Sequence, residues 1–118
     1  MKFGFGYDWK EVKRFEKLDQ KSRAIVFYSE NAYDFIFFKS IVEKLTQEYD
    51  TKICYVTSSK TDPMLNCNDK NILPFYIGDG VAHKNFFINL KATILVMTMP
   101  DLETFHIKRS KVYPVHYV

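Results

Sequence analysis

The sequence is poor in the residues that mark several classes of protein. Its 118 residues include two cysteines, four glycines and four prolines. Two cysteines cannot form the disulfide framework of a small secreted domain, and so few glycines and prolines exclude collagen-like and low-complexity chains. Hydrophobic residues make up 47% of the chain, which excludes disorder. The class that remains is a single globular domain, since domains most often contain about 100 to 150 residues.

Long apolar runs and a large charge of one sign are also lacking. The longest strongly apolar run covers Ile94 to Met97, far fewer than the roughly 18 residues of a transmembrane helix. Lys2 and Asp8 interrupt the start of the chain, so no secretory signal is predicted and we expect a cytoplasmic protein. The net charge of +3 at pH 7 is too small to indicate a nucleic-acid partner.

Sequence motifs of cofactor and metal sites are missing too. The sequence contains neither the G-x-G-x-x-G fingerprint of dinucleotide sites nor a P-loop. Its three histidines, His83, His106 and His116, do not have the spacing of a metal site. We therefore predict no metal and no cofactor. His83 is expected to be a surface or packing residue, with acid–base chemistry as the alternative.

What the sequence does contain is an alternation of strand-length apolar runs with segments of helical period. This alternation is typical of an α/β domain with a parallel sheet. The five predicted strands cover Ala24 to Tyr28, Ile53 to Thr57, Ile72 to Ile77, Ala92 to Met97 and Val112 to Val118.

Helices are predicted where apolar residues recur at steps of three and four. The longest runs from Asn31 to Asp50, a shorter one runs from Val81 to Leu90, and another begins at Pro100. Residues 1–22 form a leading amphipathic helix ahead of an α/β core at residues 23–118. The basic side of that helix suits either a membrane surface or packing on its own domain, and we favour packing.

Two prolines indicate the order of the strands. Pro74 and Pro114 lack the N–H that a central strand donates, so the third and fifth strands are placed at the edges. Together with right-handed crossovers, this predicts a Rossmann-like three-layer sandwich with a mostly parallel five-stranded sheet of order 3-2-1-4-5. Ligands of such sheets bind beyond the carboxyl ends of the strands, where the order reverses between strands one and four.

The candidate binding residues follow from this rule. A helix beginning near Asn31 would direct backbone N–H groups at a phosphate, although Asn31 could equally be a simple helix cap. The glycine pair at 78 and 80 is either a structural turn or a close approach to a ligand. No catalytic residue is assigned. The acceptor- or phosphate-binding candidates are Ser29, Glu30, Asn31, Gly78, Asp79, Thr98 and Asp101.

Several strings of residues resemble the amino-terminal domain of the CDP-glycerol glycerophosphotransferase family, which is related to teichoic-acid polymerases. The resemblance spans nearly the whole chain. It rests on Ile25-Val26-Phe27-Tyr28-Ser29-Glu30, Cys54-Tyr55-Val56-Thr57-Ser58 with Asp62-Pro63, Phe75-Tyr76-Ile77-Gly78-Asp79-Gly80, Met97-Thr98-Met99-Pro100-Asp101-Leu102, and Ile107-Lys108-Arg109-Ser110-Lys111 before Tyr113-Pro114-Val115-His116-Tyr117-Val118.

The resemblance implies the acceptor-facing half of a two-domain enzyme of glycosyltransferase-B (GT-B) architecture. A second domain would bind a CDP-glycerol or CDP-ribitol type of donor. Glycerol phosphate would pass to a hydroxyl of a polyol-phosphate or glycan acceptor, as in teichoic-acid or surface-polysaccharide synthesis, with release of CMP. Ser29 and the amides near Asn31 would orient the acceptor, and Asp101 would position its hydroxyl. The basic residues of the leading segment and Lys108, Arg109 and Lys111 suit an anionic acceptor or peripheral contact with the inner face of the membrane, without requiring either.

One motif of that family is not found. The family's first catalytic histidine belongs to an aromatic-His-Gly or similar motif just beyond the last strand, and His116 lies within the predicted strand. We therefore expect a truncated domain that is inactive by itself. One alternative is a stand-alone Rossmann-like binding or self-association module without catalysis, which uses either the crevice or the exposed edge of the fifth strand. Another is a flavodoxin-like domain, although the turn at residues 29–31 lacks the donors of a flavin-phosphate loop.

Overall fold

The computed structural model describes residues 4–78, 80–97 and 116–117, and for residues 4–8, 81 and 116–117 it describes the backbone alone. Short 3₁₀ segments lie at Asp34–Phe37 and Pro63–Asn66, and a π-helical segment at Lys44–Glu48. The helices and strands are α1 (Gly4–Glu16), β1 (Ile25–Ser29), α2 (Lys39–Glu43), β2 (Ile53–Thr57), β3 (Ile72–Tyr76), α3 (Val81–Ile88), β4 (Ile94–Met97) and β5 (His116–Tyr117).

The strands form a parallel sheet in which β3, β2, β1 and β4 follow one another in the predicted order. Phe27 at the middle of β1 is opposite Tyr55 of β2 and Val96 of β4. The two residues of β5 pair in parallel with β4. Strand β3, which contains Pro74, lies at an edge of the sheet, as its missing N–H predicts. The predicted helix after Pro100 and most of the predicted fifth strand lie outside the described residues.

Continuous apolar runs form these strands because helical segments cover both faces of the sheet. Every residue of β2 is buried. On one face, α1 and α3 pack on alternate strand residues such as Tyr28 and Val56. On the other face, Phe38 and Val42 of the segment after β1 pack on Phe27, and Ile53 and Tyr55 lie in the same cluster.

The prediction of one continuous helix from Asn31 to Asp50 is wrong. Instead, a 3₁₀ turn, the short helix α2 and a π-helical segment follow one another. Near the end, the hydroxyl of Thr46 donates to the carbonyl of Val42 at 2.8 Å. This bond competes for the carbonyl that the backbone N–H of Thr46 would use in an α-helix, and the backbone widens to bond Tyr49 N to the carbonyl of Lys44 at 3.3 Å.

Helix α1 ends at Glu16, earlier than the predicted limit at residue 22, because the carboxylate of Asp19 accepts a hydrogen bond from Ser22 N and stabilises a turn there. Val12 and Phe15 of α1 are buried against the domain. The amphipathic face therefore packs on its own sheet, which is the alternative that we favoured. None of the helices in the described part of the chain has the length and apolar character of a membrane span.

Side chains of α1 also bind the backbone of β3. Glu11 is 8% exposed, and one of its carboxylate oxygens accepts a hydrogen bond from Tyr76 N at 3.2 Å. Arg14 donates to Glu11 and, at 2.6 Å, to the carbonyl of Pro74. The guanidinium of Arg14 lies 4.1 Å from the centre of the Phe75 ring. Ionic, backbone and cation–π contacts thus join α1 to the edge strand.

Candidate functional site

Polar side chains gather where β1 and β2 end, and we call this region the carboxyl edge. Tyr28 and Ser29 are the last residues of β1, and Ser58 directly follows β2. The backbone N–H of Ser58 donates to the carbonyl of Ser29 at 3.1 Å, which extends the pairing of the two strands by one step. Side chains from distant parts of the sequence meet here because parallel strands bring their carboxyl ends to one side of the sheet.

The first hydrogen-bonded chain at the carboxyl edge joins Ser58, Tyr28 and His83. The Tyr28 phenol oxygen lies 2.7 Å from Ser58 Oγ and 2.9 Å from His83 Nε2. Tyr28 and His83 are 1% and 2% exposed, whereas Ser58 is half-buried. The Tyr28 and His83 rings also pack edge-to-face on Phe87 of α3, which fixes the positions of both polar groups.

The second chain joins Ser29, Tyr55 and Asp62, all of which are buried. Tyr55 donates to Asp62 Oδ2 at 2.8 Å, and Ser29 Oγ lies 2.5 Å from the Tyr55 oxygen. Because Tyr55 has a single proton and gives it to Asp62, Ser29 is the donor to Tyr55. Burial raises the pKa of Tyr55 far above its usual value, and Asp62 raises it further while the bond from Ser29 opposes the shift.

Asp62 also connects this second chain to the loop beyond β2. Its other carboxylate oxygen, Oδ1, accepts a hydrogen bond from Met64 N at 3.0 Å and caps the 3₁₀ segment that begins at Pro63. The buried carboxylate is therefore satisfied by two neutral donors, as a buried charge requires. The second chain fixes the loop that carries Ser58 and Ser59.

The two chains differ in what they can offer to a ligand. The second chain is buried from end to end, whereas the first ends at the partly accessible hydroxyl of Ser58. Tyr28 has one proton to give, either to Ser58 or to His83. Ser58 can therefore donate to a ligand oxygen or accept from a ligand hydroxyl. This versatility suits the recognition of a polyol or a phosphate ester.

The structure places the predicted residues after β1 in different environments. The hydroxyl of Ser29 is buried and bonded to Tyr55, while Glu30 and Asn31 are exposed. Asn31 Oδ1 accepts a hydrogen bond from Tyr33 N at 3.1 Å, so Asn31 stabilises a turn. The helix expected to begin at Asn31 is absent there, since the first 3₁₀ turn begins at Asp34, and the backbone N–H seat for a phosphate that we predicted from that helix does not form.

Among the remaining predicted residues, Gly78 follows β3 and has a φ of 67°, a left-handed conformation that favours glycine. Gly78 is buried, and the glycine therefore allows the chain to turn sharply at the carboxyl edge. Asp79, Thr98 and Asp101 lie outside the described residues.

Of the residues that form the two chains, the sequence predicts Ser29 alone as a site residue. Tyr28 and Tyr55 were grouped with the apolar strand residues, and Ser58 and Asp62 with the turn residues of a loop. His83 is a buried packing residue, one of the two structural roles predicted for it, but its hydrogen bond to Tyr28 is not predicted by the sequence. Tyr28 at the last position of the first predicted strand is the signal that could have identified the first chain, since a buried phenol needs a partner.

The described residues contain no cluster of three or more histidine, cysteine or acidic side chains that could hold a metal ion. Cys54 and Cys67 are not joined in a disulfide. Burial raises the pKa of the Cys54 thiol to about 12, with nearby Arg14 and Arg23 opposing the shift. Cys54 is therefore a buried thiol, as predicted, and its Sγ donates to the carbonyl of Ser22 at 3.3 Å.

Two cavities in the described part of the chain lie at the other end of the sheet, where the strands begin. One of about 450 Å³ lies between the ends of α1 and α3, with Phe15 and Phe86 on its apolar side and Arg23 on its polar side. The other, of about 590 Å³, is surrounded by the segments that lead into β1, β2 and β3. The cavities and the carboxyl-edge hydrogen-bonded chains therefore occupy different ends of the molecule.

Comparison of the chain with family models, with curated proteins and with solved structures finds no match.

Proposed function

We propose that this chain is the acceptor-side domain of a glycerophosphotransferase-like enzyme and that its carboxyl edge binds a hydroxyl- or phosphate-bearing acceptor. The observation that carries the proposal is the half-buried Ser58 hydroxyl, bonded at 2.7 Å to Tyr28 and through it to the buried His83. The proposal includes a Rossmann-like domain of strand order 3-2-1-4-5, in which this edge is the usual ligand side.

A fixed hydroxyl favours binding because its conformational entropy is already lost before the ligand arrives. Tyr28 is held by Phe87 and His83, so Ser58 is oriented without help from the ligand. The acceptor hydroxyl would contact Ser58 at the mouth of the edge. A polar acceptor is favoured over an apolar one because an apolar group would leave Ser58 without its outer hydrogen bond.

In the proposed reaction, the acceptor oxygen attacks the glycerol-bearing phosphorus of a CDP-glycerol type of donor. A new P–O bond forms and the bond to the CMP oxygen breaks, so that CMP leaves with the electron pair. The proton of the acceptor hydroxyl passes to solvent. Donor binding belongs to a second domain in this proposal, and the chain alone supplies the acceptor surface. Location in the cytoplasm at the inner face of the membrane is part of the same proposal.

The first test is acceptor binding by the isolated chain, followed by NMR chemical shifts of the backbone amides. Glycerol 3-phosphate and short poly(glycerol phosphate) should shift amides around Ser58, and Ser58→Ala should weaken binding by about tenfold, the effect of one hydrogen bond to a charged group. Ser40→Ala is the matched control, because Ser40 is exposed at the start of α2. Equal binding by both variants would contradict the proposed acceptor contact.

The second test separates binding from catalysis. The chain alone should not transfer glycerol phosphate from CDP-glycerol to these acceptors, since the proposal assigns donor binding to another domain. Release of CMP at ordinary enzymatic rates by the purified 118-residue chain would refute this assignment. Acceptor binding without turnover is the expected result.

A second candidate function is that of an interaction module without catalysis. The observation that favours it is a group of exposed apolar side chains after β1: Tyr33, Ile36 and Phe37 are 82%, 73% and 70% exposed. Neighbouring exposed apolar residues often mark a protein interface. Light scattering should then show self-association that Phe37→Asp abolishes, whereas a monomer over a wide concentration range would count against this candidate.

A further inference from the structure

The larger cavity at the amino ends of the strands has an unusual charge arrangement. We call it the amino basin. It has a volume of about 590 Å³, within the usual range of about 300 to 1,000 Å³ for small-molecule sites. Turns that precede three adjacent strands surround it. Its lining residues are Asp19, Lys21, Ser22, Tyr49, Asp50, Thr51, Lys52, Lys70 and Asn71.

The two carboxylates of the basin, those of Asp19 and Asp50, accept hydrogen bonds from uncharged groups. Asp19 accepts a hydrogen bond from Ser22 N at 3.3 Å, and Asp50 accepts one from Asn71 Nδ2 at 3.0 Å. The pKa of Asp19 is lowered mainly by its hydrogen bond to Ser22, with the charge of Lys52 as a smaller contribution. Asp50 has a φ of 49°, which places this turn in the left-handed region, and Asn71 stabilises it.

The three lysines of the basin, by contrast, form no ion pair within the described part of the chain. Ion pairs among the described residues join Arg14 to Glu11 and Lys44 to Glu48. Lys21, Lys52 and Lys70 therefore form no ion pair with any described carboxylate, although Asp19 and Asp50 line the same cavity. The three lysines and two aspartates that line the cavity give it a net charge of +1, so it attracts an anion.

The wall of the basin adds an aromatic surface. Tyr49 lines the cavity and is 64% exposed, so its ring is available to a planar group. In the smaller cavity, by contrast, Phe15 and Phe86 are buried, and the guanidinium of Arg23 donates to the backbone carbonyls of Lys91 and Leu18. The amino basin thus combines unpaired cations with a stacking surface.

We propose that the amino basin binds a nucleoside phosphate, with the phosphates between Lys21, Lys52 and Lys70 and the base against Tyr49. Lysine ammonium groups bind phosphate as point charges, and an aromatic ring can stack on any of the nucleobases. This site lies at the amino ends of the strands, whereas the proposed acceptor edge lies at their carboxyl ends. Its existence does not depend on the acceptor proposal.

The test is titration of the full chain with AMP and with pyrophosphate, followed by amide NMR shifts and by calorimetry. AMP should bind saturably with a Kd on the order of 1 mM or tighter, with shifts at residues 19–22, 49–52 and 70–71. Lys52→Gln with Lys70→Gln should weaken AMP binding about tenfold or more. Lys60→Gln with Lys84→Gln removes the same charge from exposed positions outside the basin and should change Kd less than about twofold.

A separate pair of variants tests the contact between the base and Tyr49. Tyr49→Ala should weaken AMP by about fivefold or more and leave pyrophosphate unchanged, and Tyr33→Ala, which removes another exposed tyrosine, should change neither. Absence of saturable shifts at the basin, or equal losses in the two lysine double variants, would overturn the site. Tight binding of pyrophosphate with no effect of Tyr49→Ala would overturn the nucleoside class.

Discussion

The two ends of the sheet differ in how they treat polar groups. At the carboxyl edge, Tyr28 and Tyr55 are buried and each joins two other polar side chains in a hydrogen-bonded chain. At the amino basin, lysines surround an open cavity and form no ion pair with a described residue. The first end contributes stability because the hydroxyls of both tyrosines are hydrogen-bonded within the protein, and the second leaves its lysines to be satisfied from solution.

The largest expected effect concerns the buried carboxylate at the carboxyl edge. Tyr55→Phe removes the donor to Asp62 and the partner of Ser29, and both are 1% exposed or less. We expect a loss of about 2 to 3 kcal/mol in the free energy of unfolding, because a buried charged group loses a hydrogen bond. Urea denaturation measures it. Tyr49→Phe at the amino basin is the control, and equal losses in the two variants would remove the contrast between the ends.

The second prediction concerns the pH dependence of stability through Cys54. Burial raises the pKa of its thiol from 9.0 to about 12. Above the lower value, the unfolded chain releases this proton and the folded chain keeps it, so stability falls as pH rises from about 9 to 12, by up to about 1.4 kcal/mol per pH unit. Below that window the contribution of Cys54 is fully present.

The measurement for Cys54 is the urea midpoint as a function of pH, compared with that of Cys54→Ala, which cannot release the proton. The difference in urea midpoint between the original chain and Cys54→Ala should become smaller as the pH rises from about 9 to 12. Parallel curves would show that the thiol, which bonds to Ser22 at the amino side of the sheet, is accessible to solvent.

A smaller effect is expected within the first chain of the carboxyl edge. Tyr28→Phe should cost about 1 to 2 kcal/mol, because it removes the hydrogen bonds to the buried His83 and to Ser58. Ser58→Ala should cost less than about 1 kcal/mol, because Ser58 is half-buried and water can replace part of its role. Thermal unfolding of the two variants checks the order, and a greater loss in Ser58→Ala would reverse it.

The smallest effect is expected at the amino basin. Lys52→Gln and Lys70→Gln should each change stability by less than about 0.5 kcal/mol. A slight gain at low salt is expected for Lys70→Gln alone, because Lys52→Gln also removes the attraction between Lys52 and Asp19. Urea denaturation at low and high ionic strength checks both the sign and its screening. A large loss would mean that these lysines stabilise the fold through contacts of their own.

The strands could be predicted from the sequence because helical segments bury both of their faces. Strand β2 was predicted to the residue, and the order of the four described principal strands follows from Pro74 and crossover handedness. The segment from Asn31 to Asp50 was not predicted correctly, because its apolar spacing shows which side chains approach the core but not which backbone bonds form. The bond from Thr46 to Val42, for example, accompanies the π-helical bonding at the end of the segment.

The carboxyl edge was predicted as a region, but its hydrogen-bonded chains were not. Tyr28 lies 30 residues from Ser58 and 55 from His83 in the sequence, so their contact depends on strand register. No local pattern records register when both faces of a sheet are apolar. The amino basin could not be predicted for the same reason, because its lysines come from three separate turns.

The contacts of Glu11 and Arg14 in α1 with the backbone of β3 determine at which edge another strand can join the sheet. An added strand at β3 would need the outward backbone groups of that strand, but Glu11 occupies the N–H of Tyr76, Arg14 occupies the carbonyl of Pro74, and Pro74 itself has no N–H. Strand addition by another chain is therefore blocked at this edge. The domain has one closed side, and any extension of the sheet must proceed from the β4 side.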